Sequence, residues 1–369
     1  MEYLAKAPAD FETVEFDNLP GNRLDDLVEA WPAFRKSCER VIRDAAVLRT
    51  AAQSPTGFAV AAERALRVPN ATNSEIRAYF SDYFRAFRIL PRADLNPHSH
   101  GFVTGYYEPE ISAALDPEPD HLEPVLGRPV DLLNAPVVQG SVTYASSRLL
   151  DNGRSSPYWS RAEISAGKSD APTIAWVRDA IELFMIQVQG SARVVLPNGS
   201  AMRLVYAGRN GHPYESIGRI LVSEGHIPLA EMSLDVLKDW VRRAGQEPGQ
   251  PGRMLLYRNP SYVFFKLVED VDPTAGPIGG EGVSLTKLRS LAIDRAIWAY
   301  GLPFWMSGDL PIENGATEKV QRLMIAQDTG SAIVGVARGD IFYGSGNSAG
   351  QTAARVRHAV DLFVMIPKG

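Results

Sequence analysis

The chain has 369 residues, 45% of them hydrophobic and 22% charged, with a formal net charge of −5 at pH 7. It is long and apolar enough for two domains with real cores, and its acidic balance excludes the basic stripe that nucleic acid requires. A single cysteine, Cys38, excludes internal disulfides and cysteine-rich zinc sites.

The first twenty residues carry several acids and no apolar run of signal-peptide length, and no window approaches the roughly twenty residues of a membrane span. The expectation is a soluble protein, or one whose leader has been removed. Leu24, Leu27, Val28, Trp31, Phe34, Cys38, Val41, Ile42 and Ala45 recur at three and four, which predicts an amphipathic helix over 24–48, kinked or restarted at Pro32. Cys38 reads as a buried filler of that face. A second helix, capped at Asn73 or Ser74, runs through Ile76, Tyr79, Phe80, Tyr83, Phe84 and Phe87, an aromatic stripe that reads as core. His98-Ser99-His100 invites a metal reading, but Pro97 and Gly101 favour a loop and no third ligand stands nearby, so no metal site is assigned.

From Gly101 the pattern changes to strands. Phe102 to Glu110 is short, aromatic and β-branched, with Gly105 allowing close approach to the backbone. Thr104, Tyr106 and Tyr107 on this strand suit a sugar, since ring faces stack on pyranose C–H groups while polar groups bond its edge; a plain edge strand bulged at Gly105 is the alternative. Prolines at 117, 119, 124, 129 and 136 then punctuate an irregular β region. Glu182 to Ser191 is predicted as a strand with Gln187 and Gln189 on one face, either a surface for a hydroxyl- and amide-rich ligand or simply solvated. Asn198-Gly199 marks a hairpin, and helices follow through Ile217 to Gly225 and from Ser233 to Gly245. Residues 245–252 read as a linker to a strand at 259–266. The loop with Gly276, Gly279, Gly280 and Gly282 lacks the context of a phosphate cradle.

Near the C-terminus, Arg322 to Ala326 lead into Gln327-Asp328-Thr329-Gly330, so a carboxylate stands where an apolar strand meets a tight turn. Desolvation there disfavours the ionised form, which makes Asp328 the candidate general acid. Leu291 to Asp294 and Gly339 to Gly344 add two further strands carrying Asp294 and Asp340; a helix or turn over 348–358 and a last strand over 361–366 complete the chain. Asp-Thr-Gly is also an ordinary turn. It occurs in aspartic peptidases too, but those need two such carboxylates sharing a proton, and this sequence has no second Asp-Thr-Gly or Asp-Ser-Gly.

Gly105-Tyr106-Tyr107 with Pro109, Gln187-Val188-Gln189-Gly190-Ser191, Tyr206-Ala207-Gly208 with Asn210-Gly211-His212 and Ser216-Ile217-Gly218, Asn259 to Phe265, and Ala326 to Gly330 through Gly344 occur in this order. Together, over roughly residues 100–366, they resemble the membrane-bound lytic transglycosylase A family. The resemblance implies an α+β, mainly β protein: a double-psi β-barrel domain from residues 1–107 and 252–369, and a smaller inserted β domain over 108–251, with a glycan groove between them. Thr104, Tyr106, Tyr107, Gln187, Gln189, Ser191 and Asn210 would bind the glycan. Asp340 and Asp294 match the family's other two aspartates, expected to tune site electrostatics and to support structure.

The implied reaction is non-hydrolytic cleavage of the β-1,4 bond between N-acetylmuramic acid and N-acetylglucosamine in peptidoglycan, leaving a 1,6-anhydro end. Asp328 acts first as acid and then as base. A monomer working on glycan strands is expected, without cofactor, metal or nucleic acid. The resemblance places it in the periplasm or at the outer membrane, although the sequence shows no lipid-bearing N-terminal cysteine. A non-catalytic wall-loosening protein and an inverting hydrolase using Asp328 and Asp340 are the alternatives.

Overall fold

In the computed structural model, residues 2–92, 100–269, 272, 275–312 and 315–368 are described. His98 of the histidine pair lies outside them. The chain divides into two compact units, Met1–Tyr107 with Pro273–Gly369, and Glu108–Asp272. The second boundary therefore falls about twenty residues later than the expected 251/252. Val263–Glu269 is a strand paired along its length with Ala201–Arg209, which keeps residues 252–272 with the insert.

The first unit is a sheet closed on itself. Strands Arg357–Pro367, Pro303–Pro311, Thr317–Asp328, Ser290–Ile293, Arg338–Ser345 and Gly101–Glu108 follow one another, and the last pairs back onto the first, giving a six-stranded barrel with no free edge in that ring. Phe84–Pro91 and Ala9–Val14 extend the sheet outward from Arg357–Pro367.

Helix Leu27–Ile42 is a single element that contains Pro32, and Asp26 caps it by accepting from Val28 N–H. Cys38 is fully buried on it. The aromatic stripe is core as expected, but it spans two elements. Asn73–Tyr83 is a helix opened by a Thr72/Glu75 capping box, and Phe84 begins a strand that keeps Phe84 and Phe87 in the same core.

Strand Thr317–Asp328 shows why an apolar run precedes the acid. Its outer half is exposed or half-buried, whereas Leu323, Met324, Ile325 and Ala326 are all fully buried, so both strand faces are covered at this end. Helix Leu27–Ile42 packs on this strand, with Gln327 Nε2 donating to Ala33 O (2.8 Å) and Ser37 Oγ (3.0 Å). Burying each large side chain contributes about 1.5–3 kcal/mol, so this half of the strand is a fixed platform for Asp328 at its end.

The second unit has a six-stranded sheet in the order Val263–Glu269, Ala201–Arg209, Ser191–Val195, Glu110–Ala114, Thr173–Val177, Glu123–Leu126. Ser191–Val195 and Ala201–Arg209 form the expected hairpin, with Gly199 at φ +82° in its turn. The expected strand over 182–191 is instead a helix, Ala180–Gln189, stopped by Gly190 at φ +86°. The segment read as a linker ends in a further helix, Pro251–Tyr257.

Candidate active site

The three aspartates gather around one short strand. In the register of Ser290–Ile293, Ala292 lies opposite Asp328 on one neighbour and opposite Asp340 on the other. Strand spacing then sets the Asp328 and Asp340 backbones on the order of 10 Å apart. Asp294 follows that strand by one residue.

Asp328 is half-buried at the end of its strand, and both of its oxygens are held. Gly280 N–H donates to Oδ1 (2.7 Å), and Tyr106 Oη donates to Oδ2 (2.9 Å). Burial first, and then the Asp328 charge, push the Tyr106 phenol well above its ordinary value, so it remains a proton donor to the carboxylate. The carboxylate is thus fixed by two donors from segments 48 and 222 residues away in sequence.

Gly105 explains how Tyr106 is brought in. A Cβ at that position would stand 2.8 Å from Ala353 Cα and 2.9 Å from its carbonyl, so only glycine lets the strand approach helix Asn347–Ala353 this closely. Alternation along the same strand turns the next ring the other way. Tyr107 is buried in the core and packs against Gly350. It does not join Tyr106 on one ligand-facing surface, as had been expected of the pair.

Asp340 accepts from Thr104 Oγ1 (2.6 Å), and Thr104 Oγ1 accepts from Arg338 Nη2 (2.6 Å). Desolvation pushes the Asp340 carboxyl up to about 6, opposed by the Thr104 bond and the Arg338 charge and reinforced by Asp328. Asp294 serves the backbone: its oxygens accept from Ala296 N–H (3.0 Å) and Gly335 N–H (2.8 Å), tying down the turn that follows Asp328.

The remaining expected site residues belong to the second unit. Gln187, now on a helix, is buried; its Oε1 accepts from Arg161 Nη1 (2.5 Å) and its Nε2 donates to Val263 O (3.1 Å). Asn210 is fully buried, donating to Trp159 O and Pro260 O and accepting from Tyr262 N–H. The expectation that these two amides meet a ligand gives way, because every strong bond they make is internal. Ser191 is buried at the start of its strand, and Gln189 is half-buried in the last turn of its helix. No strand face pairs Gln187 with Gln189.

Other residues around Asp328 were not singled out from the sequence. Arg49 Nη1 donates to Thr329 O (2.6 Å), and its charge acts on both Tyr106 and Tyr300. Tyr300 Oη is buried with no hydrogen-bond partner among the described residues. Glycine density in 276–282 was the one signal available for Gly280.

The MltA specific insert domain matches residues 102–266, and the 3D domain matches residues 289–366. The crystal structure of a membrane-bound lytic murein transglycosylase from Agrobacterium tumefaciens is 33% identical, covering 97% of this chain and 98% of that one, with a TM-score of 0.82. The chain belongs to the membrane-bound lytic transglycosylase A family. Its barrel with an inserted second unit is the architecture of that family. A curated family member, membrane-bound lytic murein transglycosylase A of Escherichia coli (strain K12), is 35% identical over 211 residues, 56% of this chain and 55% of that protein. The match therefore spans about half the length of that curated relative. A second family structure, E. coli MltA with bound chitohexaose, is 26% identical over 99% of this chain and 96% of that one, with a TM-score of 0.69. Among the described residues no helix is long and apolar enough to cross a membrane, and no group of three or more His, Cys, Asp or Glu could hold a metal ion.

Proposed function

We propose that the protein is a peptidoglycan lytic transglycosylase in which Asp328 carries both proton transfers. The observation that carries this reading is a single half-buried carboxylate whose two oxygens are each held by one donor at the end of a rigid strand. Family membership and the chitohexaose complex of the E. coli relative support a β-1,4-linked glycan as substrate.

In its acid form Asp328 gives a proton to the departing glycosidic oxygen as the C1–O bond breaks through an oxocarbenium-like transition state. The carboxylate so formed takes the proton of the C6 hydroxyl, whose oxygen bonds to C1 and closes the 1,6-anhydro ring. One bond breaks, one forms, and the proton count at Asp328 is restored. Because the nucleophile belongs to the same sugar, its effective molarity is on the order of 10⁵ M or more, which favours it over water. Tyr106 and Gly280 hold the shuttling carboxylate in place.

An inverting hydrolase would need a second carboxylate free to activate water. Asp340 suits that role poorly, since its Oδ1 is taken up by Thr104 Oγ1, which is itself held by Arg338. We assign Asp340 to the electrostatics of the site and Asp294 to support of the turn after Asp328. We assign the protein to the periplasm or the outer membrane, where such a substrate lies, and propose that it acts as a monomer on glycan strands.

The test is digestion of purified sacculi with native protein and with Asp328→Asn. Native protein should release muropeptides with anhydro ends, and Asp328→Asn should release none. Full release by Asp328→Asn would remove Asp328 from the proton transfers, and an undiminished loosening of sacculi by Asp328→Asn with no anhydro ends from either protein would indicate a non-catalytic wall-loosening protein.

A further inference from the structure

The glycine-rich loop that resembles no phosphate cradle has a different use. Gly279 to Gly282 run past the end of the Asp328 strand, and at Gly279 and Gly280 the approach is too close for a side chain. A Cβ at Gly279 would stand 2.5 Å from Gln327 O, and one at Gly280 would stand 2.5 Å from Tyr300 Oη and 3.2 Å from Thr329 Cγ2. Adjacent backbone N–H groups clamp the strand: Gly280 donates to Asp328 Oδ1, and Glu281 donates to Gln327 O (3.1 Å). From the other side, Leu48 and Arg49 N–H both donate to Gly280 O (3.1 and 3.0 Å).

Between those glycines stands a fully buried acid. Glu281 is 0% exposed, so it touches no glycan. Its Oε2 accepts from Ser37 Oγ (2.6 Å), and its Oε1 accepts from Arg40 Nε and Nη2 (3.3 and 3.2 Å), both residues of helix Leu27–Ile42. Ser37 Oγ in turn accepts from Gln327 Nε2, and Gln327 directly precedes Asp328. The circuit is closed: Glu281 to Ser37, Ser37 to Gln327, along the backbone to Asp328, and back through Gly280 to Glu281. A buried charge is costly to retain, and the Arg40 pairing offsets only part of that cost.

We propose that Glu281 is a positioning residue for Asp328, fixing the glycine loop to the N-terminal helix so that the Gly280 amide is aimed at Oδ1. The inference rests on the catalytic reading of Asp328 for its effect on rate, but not for its effect on the loop. Burial pushes the Glu281 carboxyl up to about 7, and the Ser37 and Arg40 contacts oppose that rise.

The test uses Glu281→Leu, the milder Ser37→Ala, and Gly280→Ala alone and with Tyr300→Phe, with steady-state kinetics on soluble glycan strands and the Gly280 amide resonance of ¹⁵N-labelled protein. Losing one hydrogen bond to a charged group predicts a fall in kcat of about 10-fold in Glu281→Leu and less in Ser37→Ala, with KM unchanged. The Gly280 amide should shift in both. Gly280→Ala should lose kcat by pushing the loop off Tyr300 Oη, and adding Tyr300→Phe, which removes that oxygen, should recover part of it. If Glu281→Leu does not fold, Ser37→Ala and the Gly280→Ala/Tyr300→Phe rescue decide. Full kcat with an unmoved Gly280 amide overturns the inference. An inert native protein overturns the catalytic reading instead, and the amide resonance then decides alone whether Glu281 sets the loop.

Discussion

Tyr106 Oη and Asp328 Oδ2 stand 2.9 Å apart although 222 residues separate them in the chain, a contact made possible by Gly105 and by closure of the barrel. Tyr106→Phe keeps the ring, which packs 5.4 Å from Phe342, and removes only the donor to the carboxylate. A hydrogen bond to a charged group is worth about 1.5–3 kcal/mol, so kcat should fall roughly 10- to 100-fold. Thermal melting should change little, which separates a positioning loss from unfolding.

The Glu281 carboxyl, raised from 4.5 to about 7 by burial, also makes stability depend on pH. A raised folded-state value means that the folded protein holds the proton more tightly than the unfolded chain. The contribution is fully present below pH 4.5 and is lost as pH rises through about 7. The groups facing it are Arg40, Ser37, Cys38 and Tyr300. Denaturant melts of native protein and Glu281→Gln across this window should diverge by roughly 3 kcal/mol at most, with the variant showing the flatter profile. Parallel profiles would show that Glu281 does not titrate there.

Gln187 is assigned to the core of the insert, where it meets Arg161. Gln187→Ala leaves a guanidinium nitrogen without its acceptor, a cost of about 1–3 kcal/mol to stability. KM for glycan should stay within error once the folded fraction is allowed for. A large rise in KM at native stability would return Gln187 to the ligand surface.

Arg289 and Asp25 form an ion pair (2.8 Å) that is almost wholly buried, and the same Asp25 oxygen accepts from Leu323 N–H (2.9 Å) on the Asp328 strand. Breaking a buried pair from one side costs up to about 3–5 kcal/mol, and here Glu29, whose Oε2 also accepts from Arg289 Nη2 (2.9 Å), offsets part of it. Asp25→Ala should therefore lower the melting midpoint of the barrel unit markedly, as read by circular dichroism.

These residues also show what a sequence reveals and what it hides. The Asp328 strand was legible because Leu323 to Ala326 and Asp-Thr-Gly form a local pattern, an apolar run broken by an acid and a turn. Ala180–Gln189 was not: Leu183 to Ile186 are buried together, and an apolar run lacks the periodicity that tells helix from strand. Its end signals were present in Asp179, which caps Glu182 N–H, and in Gly190. Gly280, Glu281 and Arg49 were hidden for another reason. Their roles come from contacts made across 48 to 280 residues, which no local pattern records.

Digestion of sacculi in water enriched in heavy oxygen tests the central claim most directly. If Asp328 hands its proton to the leaving oxygen and the sugar's own C6 hydroxyl closes on C1, the released ends are anhydro rings carrying no heavy oxygen. One heavy oxygen incorporated for each bond cleaved would contradict the account and make the enzyme a hydrolase.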